Sequence, residues 1–404
     1  MVPSKSLSSV FALPALAFLS LSASALPHPR TASSTTTLKL AVRINSYGIK
    51  NIATADRARV QALQAGDSSS VSATNAVMIY TADVGVGSPA TYYTLLVDTG
   101  SSNTWIGANK AYEKTSTSKD TGNQFYVPYG DGSYASGEEY TDTVTLNSDL
   151  VIDNQSIGVA YKYSGMGSLN GLLGVGPVDL TQDTVSNTND VATVTDNLYK
   201  QGTISSEVLG VFFAPASSGD TSGELTFGGY DASKITGDVS YVPITSTSSA
   251  SAYWGIDQSI SYGSTTILDE TAGIVDTGTT LIYIASDAFE TYQSATGGTL
   301  DKTTGLLQIS SDQYQQLLSL YFTIGGVTYE LTPNAQIWPR SLNSYIEGTT
   351  DGIYLVVSSN GSPSGSGLDF TNGYCFLERF YSVFDTTNSQ VGFATTEYTY
   401  ATTN

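Results

Sequence analysis

The sequence predicts an all-β protein made mainly of short strands, and three observations carry that reading. Charged residues make up 13% of the 404 positions, while 39 glycines and 27 tyrosines are present. Ordinary globular chains are about one quarter charged, so this balance favours strands and turns over long charged helices. From about residue 75 onward, short β-branched and aromatic runs, such as 94–97, 125–129, 225–227 and 353–357, are cut by Gly, Asp and Ser. Finally, Leu96-Val97-Asp98-Thr99-Gly100-Ser101 returns as Ile274-Val275-Asp276-Thr277-Gly278-Thr279, so the chain carries an internal repeat. Helical signals are few: 191–201, stopped at Gly202, and 286–295, with Ser286 and Asp287 as candidate caps and Gly297 beyond its end.

Charge and rare residues narrow the function. The formal net charge is −20, yet seven of the sixteen basic residues precede residue 60, and only Asp56 and Asp67 are acidic before residue 70. A basic leading segment is thus joined to a strongly acidic remainder, which repels phosphate backbones and anionic membranes. Neither nucleic acid nor membrane is expected as a partner. His28 is the single histidine and Cys375 the single cysteine. An internal disulfide and a Cys/His zinc set are therefore impossible, and no metal or cofactor is expected. Cys375, followed by Phe376 and Leu377, reads as a small buried hydrophobe. If the leader carrying His28 is removed, Ser-His and Cys-His triads are eliminated, leaving carboxylates as the acid/base groups.

The leading segment divides in two. Residues 1–25 hold Lys5, an apolar run over 10–21 and Ala23-Ser24-Ala25, a signal-peptide pattern too short to span a membrane. A secreted, extracellular product is expected. Residues 26–70, basic and ending in Asp67-Ser68-Ser69-Ser70, read as a propeptide, with a small N-terminal domain as the alternative.

One Asp-Thr-Gly triplet alone is an ordinary turn after a strand. Two in one chain arise by chance in about one such chain in 300, before the matched apolar residues ahead and hydroxyls behind are counted. These segments resemble the pepsin family of aspartic proteases, over nearly the whole chain from about residue 76. The run from Val97 to Trp105 is similar to the family's first active-site segment and the run from Val275 to Thr280 to its second. Tyr129-Gly130-Asp131-Gly132-Ser133 resembles the tip of its flap hairpin, and Gly171-Leu172-Leu173-Gly174 the apolar pair and glycine that brace the first loop. The resemblance implies a bilobal fold of two β-rich lobes related by a pseudo-twofold axis, with a cleft between them. The lobes are expected at 71–243 and 244–404, meeting near Val242-Pro243. It implies a monomeric endopeptidase acting on proteins and peptides at acidic pH and open to pepstatin-type inhibitors.

Asp98 and Asp276 are then the catalytic pair. Two carboxylates a few ångströms apart cannot both ionise, so they share a proton and together activate a water molecule. Gly100 and Gly278 allow backbone N–H groups near the carboxylates, Ser101 and Thr279 can donate to the outer oxygens, and by resemblance Thr99 and Thr277 cross-link the two loops. Resemblance also gives Tyr129 a hydrogen bond to Trp105 and makes Tyr163 and Leu172 walls of the pocket for the residue before the cut. Asp131 would overhang that pocket, so that Lys is accepted there besides large apolar residues. Near the end Thr371-Asn372-Gly373-Tyr374 departs from the family, which has an acid after the glycine. Lys39, Arg43 and Lys50 are expected to lie across the acidic cleft of the precursor.

Two rival readings are an acid glycoside hydrolase, which needs no matched Asp-Thr-Gly loops, and a non-catalytic binding protein of the same fold, which would show a damaged pair or flap. Asn154-Gln155-Ser156 and Asn360-Gly361-Ser362 are sequons that permit N-glycosylation.

Overall fold

A computed structural model describes Met1 and residues 35–44, 51–64, 78–129, 134–218 and 222–404. The first half is built from β1 (Thr36–Ile44), helix α1 (Ile52–Gln64), β2 (Met78–Val86), β3 (Thr91–Asp98), β4 (Thr104–Ile106), β5 (Lys119–Pro128), β6 (Tyr134–Asn147), β7 (Leu150–Tyr163) and β8 (Gly171–Gly174). Along β6 buried and half-buried residues nearly alternate, the period-2 pattern of a strand with one face on a core.

Among the described residues, thirteen strands form one sheet. Its spatial order is Ser240–Pro243, Gln390–Thr395, Phe380–Asp385, Val208–Phe213, Ser222–Phe227, then β1, β2, β3, β8, β4, β7, β6 and β5. The C-terminal strands thus pair with the first half, and Tyr80 stacks on Phe213 at 3.8 Å between ring centroids. A seven-stranded sheet holds the second half, with a three-stranded sheet beside it.

Both halves repeat one arrangement. β3 runs parallel to β8, which pairs antiparallel with β4. Correspondingly, Thr265–Val275 runs parallel to Phe370–Asn372, which pairs antiparallel with Ile282–Ile284. Each Asp-Thr-Gly loop emerges from the first strand of its trio. Gly174 and Gly373 brace the loops by close approach: a Cβ on Gly174 would lie 2.4 Å from the Ser102 carbonyl carbon, and one on Gly373 would lie 2.2 Å from the Leu281 oxygen. Gly373 therefore keeps the brace although its neighbours depart from the family pattern. Tyr374, standing where the family has an acid, accepts from the Ala216 N–H at 3.1 Å and donates to the Ala214 carbonyl at 3.2 Å.

The expected helices are present with adjusted ends. Val194–Lys200 starts later than 191 because Thr193 and Asp196 form a reciprocal capping box. Ser286–Thr296 ends on Gly297 at φ 68, whereas Asp287 accepts from Ser364 instead of capping its own helix.

Helix α1 was not expected. Asn51 starts it, accepting from the Thr54 N–H at 3.0 Å, and its Ala-rich sequence favours helix. It buries Ile52, Ala53, Val60 and Leu63, but Asp56 and Arg59 on the same buried surface hide the apolar period from the sequence. Strand β1 is inserted between Ser222–Phe227 and β2. Cys375 is buried as expected, and burial pushes its thiol up. Among the described residues no helix is long and apolar enough to cross a membrane.

Candidate active site

The two loops meet back to back. The Thr99 N–H donates to Thr277 Oγ1 at 3.0 Å and the Thr277 N–H donates to Thr99 Oγ1 at 2.9 Å, while Thr277 Oγ1 also donates to the Val97 carbonyl at 3.3 Å. Trp254 adds a link between the halves, its indole N–H donating to the Val175 carbonyl at 3.3 Å. Each buried hydrogen bond of this kind contributes about 1 kcal/mol. Together they fix the two loops against each other.

Asp98 and Asp276 are fully buried at the centre of this grip. Asp98 Oδ1 accepts from the Gly100 N–H at 2.9 Å and Oδ2 from Ser101 Oγ at 2.6 Å. Asp276 has the same partners from its own loop: the Gly278 N–H at 3.1 Å on Oδ1 and Thr279 Oγ1 at 2.5 Å on Oδ2. The glycines have no room for a side chain, since a Cβ on Gly100 would lie 2.8 Å from Asp276 Oδ1 and one on Gly278 would lie 2.7 Å from Asp98 Oδ1.

Arg59 of α1 lies between the carboxylates. Its Nη2 donates to Asp98 Oδ1 at 2.6 Å and to Asp276 Oδ1 at 2.8 Å, and its Nε donates to Asp276 Oδ2 at 2.6 Å. The guanidinium fork suits this bridging role better than a point ammonium. Burial works against the Arg59 charge, but the two carboxylates outweigh it and raise its pKa. Burial also opposes ionisation of both aspartates. At Asp276 the Arg59 charge and the bonds from Arg59, Thr279 and Gly278 prevail and hold the carboxyl below the usual range. At Asp98 burial, aided by the Asp276 charge, prevails over Arg59 and holds it above that range. The two titrate as a pair.

Arg59 corrects the expectation for the basic segment. Lys39 and Arg43 lie in β1, a strand paired on both sides, and an extended chain locked in a sheet cannot cross the cleft. Lys39 pairs with Glu224, and Arg43 Nε donates to Thr81 Oγ1 at 3.2 Å. Lys50 lies outside the described residues. One turn before Arg59, Asp56 docks on the second half: its oxygens accept from the Thr280 N–H at 3.0 and 3.1 Å and from the Leu281 N–H at 2.8 Å. Burial lifts the Asp56 carboxyl to about 7, against the lowering effect of those donors and Arg59. Arg57, Gln61 and Gln64 complete the docking on the carbonyls of Ser359, Asn360 and Leu368. Sequence reasoning missed Asp56, Arg59 and Trp254; the one available signal was charge placed inside an Ala-rich stretch.

The flap tip, Gly130, Asp131 and Gly132, lies outside the described residues. At its edge Tyr129 and Trp105 are buried with ring centroids 6.4 Å apart. Trp105 Nε1 has no acceptor among the described residues, so the rings meet without the expected Trp105–Tyr129 hydrogen bond. Leu172 belongs to the same buried apolar cluster as both rings, Phe125, Met166 and Leu169. Tyr163 is partly exposed, and its hydroxyl accepts from the Asn109 N–H at 3.0 Å.

The sequence profile of the eukaryotic aspartyl protease family matches residues 79–396. This chain belongs to the eukaryotic aspartyl protease family. Polyporopepsin of Irpex lacteus is 61% identical over 339 residues, covering 83% of this chain and 99% of that protein. Cathepsin E of Rattus norvegicus is 31% identical over 344 residues, covering 78% of this chain and 80% of that one. The crystal structure of the aspartic proteinase from Irpex lacteus superposes with a TM-score of 0.78 at 61% identity, covering 81% of this chain and 96% of that one. The chain is accordingly an aspartic endopeptidase of pepsin-like bilobal fold, with proteins and peptides as its substrates.

Proposed function

We propose that Asp98 and Asp276 are the catalytic pair and that Arg59 holds them silent in a precursor. The observation that carries this is one guanidinium bridging two buried carboxylates, each seated by a glycine N–H and a hydroxyl of its own loop. With Arg59 in place both members find a cation. Once it leaves, two like charges that close share a proton. The ionised member then takes a proton from water while the protonated member donates to the scissile carbonyl, so water attacks with no covalent intermediate. Thr99 and Thr277 hold the loops together. The hairpin carrying Tyr129, Gly130, Asp131 and Gly132 closes over substrate and excludes bulk water, with Trp105, Leu172 and Tyr163 shaping the wall before the cut.

Residues 1–25 direct export and residues 26–70 are the leader. Supporting this, the family profile begins at residue 79, beyond α1, and α1 enters the site through Arg59, a cation set against two carboxylates. The mature enzyme works as a secreted monomer, is blocked by pepstatin-type inhibitors, and begins near 71, with its halves meeting near Val242-Pro243.

The test is casein hydrolysis by the purified mature chain at about pH 4, where the carboxylates can share a proton. Activity blocked by pepstatin and lost in Asp98→Asn is the expected result. Pepstatin-insensitive activity, or hydrolysis of glycans in place of casein, would overturn it.

A further inference from the structure

The two sequons end in opposite surroundings, and only one can carry sugar in the folded protein. Asn154 is exposed on β7, at an irregularity in the β6–β7 register between Asp142↔Gln155 and Val144↔Ile152. Its φ of 54 places it in the left-handed region, which Asn tolerates better than most residues. The side-chain oxygen is engaged, accepting from Lys119 Nζ at 2.7 Å, and this bond does not use Nδ2, the atom that N-glycosylation modifies. The neighbouring Val151, Asp153 and Lys119 are exposed as well, so a bulky hydrophilic chain displaces no packing there.

Asn360 is the reverse. It is completely buried, and its Nδ2 donates to the Leu368 and Asp369 carbonyls at 3.4 and 3.3 Å. Its Oδ1 accepts from the Ser362 N–H at 2.9 Å, closing a local turn. Its own carbonyl accepts from Gln61 of α1 at 3.4 Å. A sugar on Nδ2 would remove a donor from two buried carbonyls and would need space that the fold fills. A chain modified at Asn360 before folding cannot complete this region.

We propose that Asn154 carries an N-linked oligosaccharide and that Asn360 stays bare. In the transfer, Asn154 Nδ2 forms a bond to the anomeric carbon of an N-acetylglucosamine, whose bond to a lipid-linked pyrophosphate breaks. Nδ2 loses one hydrogen as a proton, and the lipid pyrophosphate departs with the electron pair. The oligosaccharide-lipid donor is a component of the export route, so the proposal rests on residues 1–25 acting as a signal peptide.

The experiment is expression of the full chain in a secreting fungal host, followed by site mapping of the protein recovered from the medium. An endoglycosidase that leaves one N-acetylhexosamine on Asn marks the occupied site for peptide mass analysis. Expected are a single tag on the 154 peptide and none on the 360 peptide. Asn154→Gln should lose one gel-mobility step and keep full casein activity. Ser362→Ala, which destroys the second sequon but leaves the Asn360 amide in place, should shift nothing. A bare Asn154, or sugar on Asn360 in folded active protein, overturns the proposal. Protein that never reaches the medium overturns the export reading and this proposal with it, while leaving the assignment of Asp98 and Asp276 untouched.

Discussion

The Asp98 and Asp276 loops are nearly the same object built twice, and their difference comes from a helix that belongs to neither. Each loop leaves a strand parallel to a Gly-braced partner and seats its carboxylate on a glycine N–H and a hydroxyl, and their threonines exchange backbone bonds. Helix α1 breaks the symmetry. Arg59 makes one bond to Asp98 and two to Asp276, and Asp56 occupies two backbone donors just beyond the second loop. Hence the opposite displacement of two chemically equivalent acids: Asp276 below the usual range, Asp98 above it. The symmetry lies in the two loops, and the asymmetry in how helix α1 meets them.

The largest test of that symmetry is removal of either carboxylate. Asp98→Asn and Asp276→Asn in the mature chain should each lower kcat on a peptide substrate by about 10²- to 10⁴-fold, the range of a lost general acid/base. If one variant kept near-normal turnover, the two loops would not be functional equivalents.

Next in size is the bridge. Arg59→Ala should weaken leader docking by roughly 3–5 kcal/mol, because two buried carboxylates lose the cation between them. Binding of a pepstatin-type inhibitor to the precursor near neutral pH would read this as new accessibility. Arg59→Lys should fall between, since an ammonium cannot reproduce the fork. A precursor equally closed with Ala at 59 would mean that the apolar face of α1 alone holds the helix.

The pH response separates the two halves of the docking site. The Asp276 carboxyl lies lower in the docked state than when free, so its contribution is present above its ordinary value of 3.8 and is lost as acid protonates it. Asp56 has the opposite sign: raised from 3.8 to about 7, its contribution is fully present below 3.8 and is lost as pH rises through about 7. Between those limits acidification tightens Asp56 and leaves Asp276 charged, so release is deferred to more acidic conditions. The groups facing Asp56 include Arg59, Asp276 and Tyr283, with Thr280 and Leu281 donating from the backbone. Precursor Tm measured across this range should rise on acidification before falling. Asp56→Asn should make the upper limb shallower, with the raised Asp98 supplying what remains of it, and should leave the lower limb in place; loss of the lower limb instead would reverse these assignments.

The smallest effect concerns the cross-link. Thr277 Oγ1 takes part in two bonds and Thr99 Oγ1 in one between the loops, so Thr277→Val should cost roughly 1–3 kcal/mol and Thr99→Val about 1 kcal/mol. Urea unfolding of the two variants would compare them; equal losses would show that the Val97 contact adds nothing.

Much of this was legible in the chain. The repeated triplets named both carboxylates and their supporting hydroxyls because short local motifs seat their own acids within three residues. The second brace was harder to see, since Thr371-Asn372 lacks the apolar pair of Leu172-Leu173 and only the close approach at Gly373 reveals it. Helix α1 was hidden because its buried surface carries Asp56 and Arg59, which a hydrophobic pattern counts as solvent-facing. Likewise, two sequons equal as text became one exposed amide and one buried turn.

The sequence by itself determined an acidic β-rich chain with two matched carboxylate loops and no side chains for a rival triad once His28 is set aside. Only the tertiary structure decided which cation meets those carboxylates. Arg59 stands 39 residues from Asp98 and 217 from Asp276, and five other leading-segment bases lie from residue 30 to residue 57. Local pattern cannot choose among them, because a charge becomes a partner through the helix face it occupies and the surface that face is folded against. Once α1 lies across the second half with Asp56 on the Thr280 and Leu281 donors, the next turn of the helix brings Arg59 to the pair.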